Sequence, residues 1–429
     1  MRSFLAKSIL TSLALELHRR TFISLTSTSI ASKLPSDTSP SLTQHEQNSI
    51  TTINDLWHDN DYITIPLEKC SGGRYCLRVT VSYEPVISRL DKSLSYVPYK
   101  VFKLAIDTGS PYLVISDGSE FASFVNEMNS NDQNAFSFMS ILSRRLAFID
   151  REIKYVFPDS GYAPTIDIYG SQSGSISWKK TLIQISKSNV LKSVVLGVLD
   201  KNLAEESGGS LLGLVRNQNN IVTEKVQPRP TLLDQLAVEN GAISSFQIDG
   251  PNQLLTLSRK SMISTGSERN AISLFDLRPL GDFVDHYAVE VMELKFDGMS
   301  FTPESIDKGI GSNVMRKIVA VFDTGLTGCL LTSPLWDDLS RMGLHLKEIK
   351  DITVSTKTIS NLVFQFETSE TDNPYFNVHP INLDWFTDED TCPYVVVLGQ
   401  TFLNRASLTI DIDDRKVCFE RSSRLSDVK

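Results

Sequence analysis

Cysteine is scarce in this chain, with five in 429 residues: Cys70, Cys76, Cys329, Cys392 and Cys418. They make no paired CxxC set, and none of the six histidines stands with them in a ligand-spaced motif, so no metal and no cofactor is expected. Long apolar runs are missing too. No stretch of about 18 apolar residues occurs, so no membrane span is expected. There is no basic excess. Lys and Arg number 42 against 51 Asp and Glu, giving a net charge of −9 and a pI near 5.3. That balance argues against nucleic acid or an anionic membrane as a partner. No asparagine stands in an Asn-x-Ser/Thr sequon, which disfavours a heavily glycosylated secretory protein. The alternating strand–helix rhythm of a parallel α/β fold is also absent.

What is there begins with size. A chain of 429 residues exceeds one typical core and suits two units of about 150 to 200 residues each. The composition, 41% apolar and 22% charged, is that of an ordinary globular protein with ample core. Residues 1–60 read as a presequence with a short segment behind it. "MRSFLAKSILTSLALELHRRTFISLTSTSIASKL" sets Arg2, Lys7, Arg19, Arg20 and Lys33 against one acid, Glu16, and is rich in Ser and Thr. This composition resembles an organellar transit peptide, while "SILTSLALEL" reads alternatively as a signal-peptide core leading to the secretory or endolysosomal route.

From Asp61 the pattern is that of strands. "CLRVTVSYE" alternates Leu77, Val79, Val81 and Tyr83 with Arg78, Thr80, Ser82 and Glu84, a half-buried strand. Strand signals recur in "TLIQIS", "QLLTLS", "HYAVEVMELKFDG", "DITVS", "LVFQFE" and "SLTIDIDDRKVCFE". Two helices are expected. "TLLDQLAVENGAI" follows Pro230 and stops at Gly241. "SPLWDDLSRMG" has Ser333 as N-cap, Pro334 at its first position, acids in the first turn and Gly343 as terminator. Cys70 and Cys76 bracket "SGGRY" as either a hairpin disulfide or two free thiols, and Cys329 reads as a small core residue.

Within the strand-like region, "VFKLAIDTGSPYLVIS" holds a carboxylate, Asp107, between apolar runs. An ionised Asp there is costly unless it is paired or hydrogen-bonded. Asp-Thr-Gly is also ordinary turn chemistry, and one accidental copy in a chain of this length has roughly a 0.1 chance. The chain repeats it. "KIVAVFDTGLTGCLLTS" sets Asp323-Thr324-Gly325 in the same context, 216 residues on. Each copy has an apolar-apolar-Gly companion downstream, Leu211-Leu212-Gly213 in "GGSLLGL" and Val397-Leu398-Gly399 in "VVVLGQTFL". Two embedded triplets with two matching companions indicate a duplicated unit that supplies one carboxylate per half.

With these motifs, the flap-like "YGSQSG" at Tyr169–Gly174 and the closing "DWFTDEDTCPYVVVLGQTFLNRASLTIDIDDRKVCFE", the chain resembles the pepsin-like aspartic proteases over roughly Asp61 to Glu420. The resemblance implies a mostly β, bilobal fold of two homologous lobes, 61–250 and 251–429, divided near the turn-rich Gly250–Asn252, with a cleft between them. It implies a monomeric aspartic-type endopeptidase acting on peptide or protein substrates, with Asp107 and Asp323 as the catalytic pair. Thr108 and Thr324 would bond across the interface, Gly109 and Gly325 would let backbone approach the carboxylates, and Ser110 would hydrogen-bond Asp107. Tyr169, with Gly170, would close over substrate from a hairpin flap. The alternative is a catalytically silent relative that binds peptides or proteins in the same cleft.

Three departures from the family pattern stand out, with one point about the pro-segment. Leu326 occupies a place usually held by Thr or Ser, and Val114 that of a Trp supporting the flap. The Asp107–Tyr169 spacing implies an insertion, with "NEMNSNDQNAFSF" from Asn126 as its loop. Lys33 is the only lysine between Lys7 and Lys69, where a blocking pro-segment lysine is the family habit.

Overall fold

The computed structural model describes residues 61–70, 73–82, 84–85, 99–116, 155–156, 159–169, 172–185, 192–199, 209–216, 229–236, 242–263, 271–280, 282, 285–310, 316–346, 349, 351–356, 363–367, 378–381 and 392–421. The presequence, with Lys33, and the insertion from Asn126 lie outside these residues.

Strands dominate. The chain opens with β1 (Tyr62–Pro66), β2 (Glu68–Lys69), β3 (Tyr75–Ser82), β4 (Glu84–Pro85), β5 (Tyr99–Asp107) and β6 (Leu113–Ser116). Then come β7 (Tyr155–Val156), β8 (Thr165–Tyr169), β9 (Gln172–Gln184), β10 (Lys192–Leu199), β11 (Ser210–Gly213) and the helix α1 (Leu232–Leu236). β12 (Ser245–Asp249), β13 (Leu254–Ser258), β14 (Ile272–Ser273), β15 (Ala288–Phe296) and β16 (Met299–Phe301) lead to α2 (Pro303–Ile310). β17 (Ile318–Phe322), β18 (Cys329–Thr332), α3 (Ser333–Arg341), β19 (Asp351–Thr356) and β20 (Val363–Glu367) follow. β21 (Val378–Ile381), β22 (Tyr394–Leu398), β23 (Ala406–Asp411) and β24 (Lys416–Arg421) complete the described chain.

Most of these strands pair into three sheets. One has the order β2-β3-β5-β11-β6-β10-β9-β8, and a second has β20-β19-β15-β17-β22-β18-β21 with β16 on β15. The third, β1-β13-β12-β23-β24-β14, draws strands from both ends of the described chain. The polar stretch Gly250–Asn252 lies in the turn of the β12–β13 hairpin within it, where Asp249 accepts both the backbone and side-chain N–H groups of Asn252.

Burial follows the sequence pattern. In β3, Leu77, Val79 and Val81 are buried and Arg78 is exposed. β17 (IVAVF) and β22 (YVVVL) are buried at every position, as expected of central strands covered on both faces. Leu104, Ile106, Leu212, Phe322 and Leu398 join one continuous core. Burying each such side chain contributes roughly 1.5 to 3 kcal/mol, which holds the polar loops at the strand ends in place.

The first two sheets repeat one pattern. In the first, β5 runs parallel to β11, β11 antiparallel to β6 and β6 parallel to β10. In the second, β17 runs parallel to β22, β22 antiparallel to β18 and β18 parallel to β21. The Leu-Gly companions therefore lie beside the Asp-bearing strands, Gly213 opposite Asp107 and Leu398 opposite Phe322.

Two local expectations change. Thr332, not Ser333, occupies the N-cap of α3, and no side chain caps the helix. Thr332 Oγ1 accepts the Val395 N–H at 3.1 Å and Ser333 Oγ donates to the Ile381 carbonyl at 3.3 Å, so adjoining strands have claimed both hydroxyls. The first turn carries no acid, because Asp337 and Asp338 fall beyond it. Residues 237–241, the expected end of the first helix, lie outside the described part. Cys70 and Cys76 form a disulfide closing the β2–β3 turn. Among the described residues no helix is long and apolar enough to cross a membrane.

Candidate active site

Asp107 ends β5 and Asp323 follows β17, so each carboxyl sits where an apolar strand runs out at the same end of its sheet pattern. The two triplets interlock. The Thr108 N–H donates to Thr324 Oγ1 at 3.1 Å and the Thr324 N–H donates to Thr108 Oγ1 at 3.0 Å. Each hydroxyl then donates across to the other strand, Thr108 to the Phe322 carbonyl at 2.9 Å and Thr324 to the Ile106 carbonyl at 2.8 Å. Both threonines are buried, so every one of these groups would otherwise be unsatisfied. The net gain is about 0.5 to 1.5 kcal/mol per bond, but the larger effect is geometric: the two strand ends hold one fixed relation.

The glycines complete the crossing. The Gly109 N–H donates to Asp107 Oδ1 at 2.8 Å and the Gly325 N–H to Asp323 Oδ1 at 3.0 Å. A Cβ on Gly109 would stand 2.6 Å from Asp323 Cγ, and one on Gly325 2.6 Å from Asp107 Oδ1. Each triplet thus presses its glycine against the other triplet's carboxyl, an approach only glycine permits.

The carboxyl groups hydrogen-bond each other, and both hold their protons above the usual carboxylate range. For Asp107 the first cause is burial, opposed by the Gly109 N–H and by positive charge from His286 and Arg74. For Asp323 burial is again first, and the adjacent Asp107 charge adds to it; the N–H groups of Gly325 and Leu326 oppose them. Asp323 is the more strongly raised. Asp323 is half-buried and keeps some solvent contact. Two such groups in contact cannot both ionise readily, so the pair holds one proton and titrates as a unit.

Other expected residues are placed differently. Ser110 Oγ accepts the Tyr112 N–H at 3.4 Å and makes no bond to Asp107 among the described contacts, because its hydroxyl turns along the loop towards Tyr112. Tyr169 closes β8 and pairs with Gln172 across the β8–β9 hairpin; its side chain and Gly170 lie outside the described part. The Leu326 side chain packs against the apolar cluster of Val321 and Val397. Cys329 is buried and its thiol is pushed up to about 12, the state of an inert core residue.

Some features carried no local signal. Val114 is buried against Trp178 of β9, whose indole N–H donates to Thr165 Oγ1 of β8 at 3.0 Å and so braces the root of the hairpin. Tyr112 meets that indole edge-on at 5.1 Å, and the Arg229 guanidinium lies 4.5 Å over it. An indole does sit beside Val114, but it comes from a distant strand. Beside the first triplet, the Gly109 carbonyl faces the ring of His286 at 3.2 Å. Among the described residues no group of three or more His, Cys, Asp or Glu is placed to hold a metal ion.

Comparison with known families and curated proteins finds no family model and no curated protein that matches the chain.

Proposed function

We propose that the protein is an aspartic endopeptidase of bilobal, pepsin-like fold that cleaves peptide bonds in a cleft between two homologous β lobes. The observation that carries this reading is the pair Asp107 and Asp323, hydrogen-bonded together, both raised in proton affinity and locked by reciprocal threonine bonds. With one proton on the pair, the ionised member takes a proton from a bound water as that water attacks the scissile carbonyl carbon. The protonated member donates to the developing oxyanion. The tetrahedral species then collapses as a proton passes to the leaving nitrogen, and the pair returns to its starting state. The β8–β9 hairpin acts as the flap that excludes water while this occurs.

The test is incubation of the purified chain with a denatured protein at several pH values. Cleavage should appear in mildly acidic buffer, stop with a statine-type mimic whose hydroxyl replaces the attacking water, and survive chelators and thiol- or serine-directed reagents. Activity lost to a chelator and restored by zinc would overturn the reading. Binding of the mimic with no cleavage at any pH would point instead to a silent, peptide-binding protein.

Leu326 should tune the pH profile. A hydroxyl at this position that reached the Asp323 carboxylate would favour its charged form, whereas Leu supplies only its backbone N–H and apolar bulk. Leu326→Thr should therefore move the acidic limb of kcat/KM to lower pH. The shift should be about one unit, or about 1.4 kcal/mol, the order of one hydrogen bond to a charge. An unmoved limb, or one that rises, would show that Leu326 does not set it.

A further inference from the structure

We propose that His286 is a positioning residue of the first Asp-Thr-Gly triplet: its doubly protonated ring ties Asp282 to the Gly109 carbonyl and makes the pair's geometry answer to pH. His286 lies two residues ahead of β15. Its backbone N–H donates to Asp282 Oδ2 at 2.7 Å, its Nδ1 faces Asp282 Oδ1 at 2.9 Å, and its Nε2 faces the Gly109 carbonyl at 3.2 Å. A carbonyl oxygen and an ionised carboxylate only accept hydrogen bonds. Both ring contacts are therefore bonds only when both nitrogens carry protons, and a neutral ring gives up one of them. Gly109 is held at both ends, by its N–H on Asp107 and its carbonyl on His286.

The ring is not free to wander. The next residue, Tyr287, donates its hydroxyl proton to the Leu214 carbonyl at 2.8 Å, and its own carbonyl accepts the Phe322 N–H at 2.9 Å. Leu214 follows the Gly213 that pairs with Asp107, and Phe322 precedes Asp323. His286 is thus anchored to the strand ends beneath both carboxyls. Asp282 is 2% exposed, and the His286 backbone N–H, the His286 ring and the charge of Arg278 all act on it.

The charged groups around the ring are Asp282 on its own segment and Asp107 across from it, with Asp323 and Arg74 acting through Asp107. Behind Asp282 stand Arg278, Asp285 and Arg415; Arg415 and Arg278 pair with Asp285, and Arg278 also holds Asp276 and acts on Asp282. A cationic ring beside Asp107 favours the singly ionised pair. Loss of its proton removes that charge and also releases either the Gly109 carbonyl or Asp282.

The kinetic arm of the test rests on the endopeptidase reading. His286→Gln should move the acidic limb of kcat/KM upward, on the order of one pH unit. It should lower kcat roughly tenfold with KM little changed. Asp282→Asn, which keeps the shape and replaces a carboxylate acceptor of the ring, should loosen the ring's hold on the Gly109 carbonyl and lower kcat in the same way. A uniform loss in His286→Gln with an unmoved acidic limb would reduce His286 to a structural role and overturn the proposal. The second arm needs no activity. In nitrogen-15 spectra of the wild-type chain in mildly acidic buffer, both His286 ring nitrogens should be protonated, as the two acceptors facing them require. A single neutral tautomer overturns the proposal whether or not the chain cleaves peptides. Absence of cleavage with that spectral result intact would count against the endopeptidase reading alone.

Discussion

Asp107→Asn and Asp323→Asn should each reduce the proposed peptide cleavage at least about a thousandfold, because each leaves a carboxyl with no partner to share a proton. Unfolding cannot explain such a loss if stability moves the other way, and it should. Both carboxyls are raised above the ordinary range, first by burial and, at Asp323, also by the neighbouring charge. A group with a raised folded value binds its proton more tightly in the folded chain. Stability is therefore lost as pH rises from the unfolded value, about 3.9, through the folded one. Asn has no proton to lose. Each variant should melt above wild type near neutral pH, and the difference should shrink below about pH 4, where both folded and unfolded carboxyls are protonated. Thermal midpoints and turnover measured on the same samples test both statements. A variant retaining a tenth of wild-type turnover would remove the paired mechanism.

Gly399→Ala should damage the molecule more than any surface change. Gly399 follows β22 directly beside the second triplet, where the Asp323 N–H donates to the Leu398 carbonyl at 3.0 Å. A Cβ at this position would overlap the Gly328 carbonyl oxygen and lie 2.7 Å from the Thr327 carbonyl carbon. Backbone cannot yield as a flexible side chain does, and withdrawal would break the Gly399-to-Gly328 and Gln400-to-Leu326 bonds. The expected loss is about 3 kcal/mol or more, at the upper end of overpacking effects. Gly309→Ala in α2 is the contrast. The nearest atoms there are the flexible end of Met342 at 3.1 Å, and the helix gains from Ala, so stability should hold or rise slightly. Equal midpoints for Gly399→Ala and wild type would refute the close-approach account.

The sequence revealed what depends on residue type at one place. An Asp between apolar runs, a Gly that must touch a carboxyl and a Leu-Gly beside it each leave a local mark, and the marks recur because the strand pattern recurs. Ser110 misled because its hydroxyl turns to the Tyr112 N–H of its own loop, a choice that residue type does not rank against Asp107. The α3 cap misled in a similar way: Ser333, a good cap by residue type, gives its hydroxyl to β21, and the helix starts one residue earlier with the Thr332 hydroxyl on β22. Trp178 and His286 were invisible for another reason. Their partners, Val114 and Gly109, are 64 and 177 residues away, and nothing in "SISWKK" or "VDHYAV" points to them.

The six-stranded sheet has a consequence for timing. β12 pairs with β13 along one edge and with β23 along the other, so residues 245–249 complete their pairing only in residues 407–411, and Tyr75 donates its N–H to Gln400 at 2.8 Å. As the chain leaves the ribosome, the first triplet is exposed long before these partners exist, and pairings of such separation form slowly. The threonine exchange between Thr108 and Thr324 waits on them as well. Synthesis itself thus acts as a delay: the two carboxyls meet only when nearly the whole described chain has been made, and a nascent chain carries half a site.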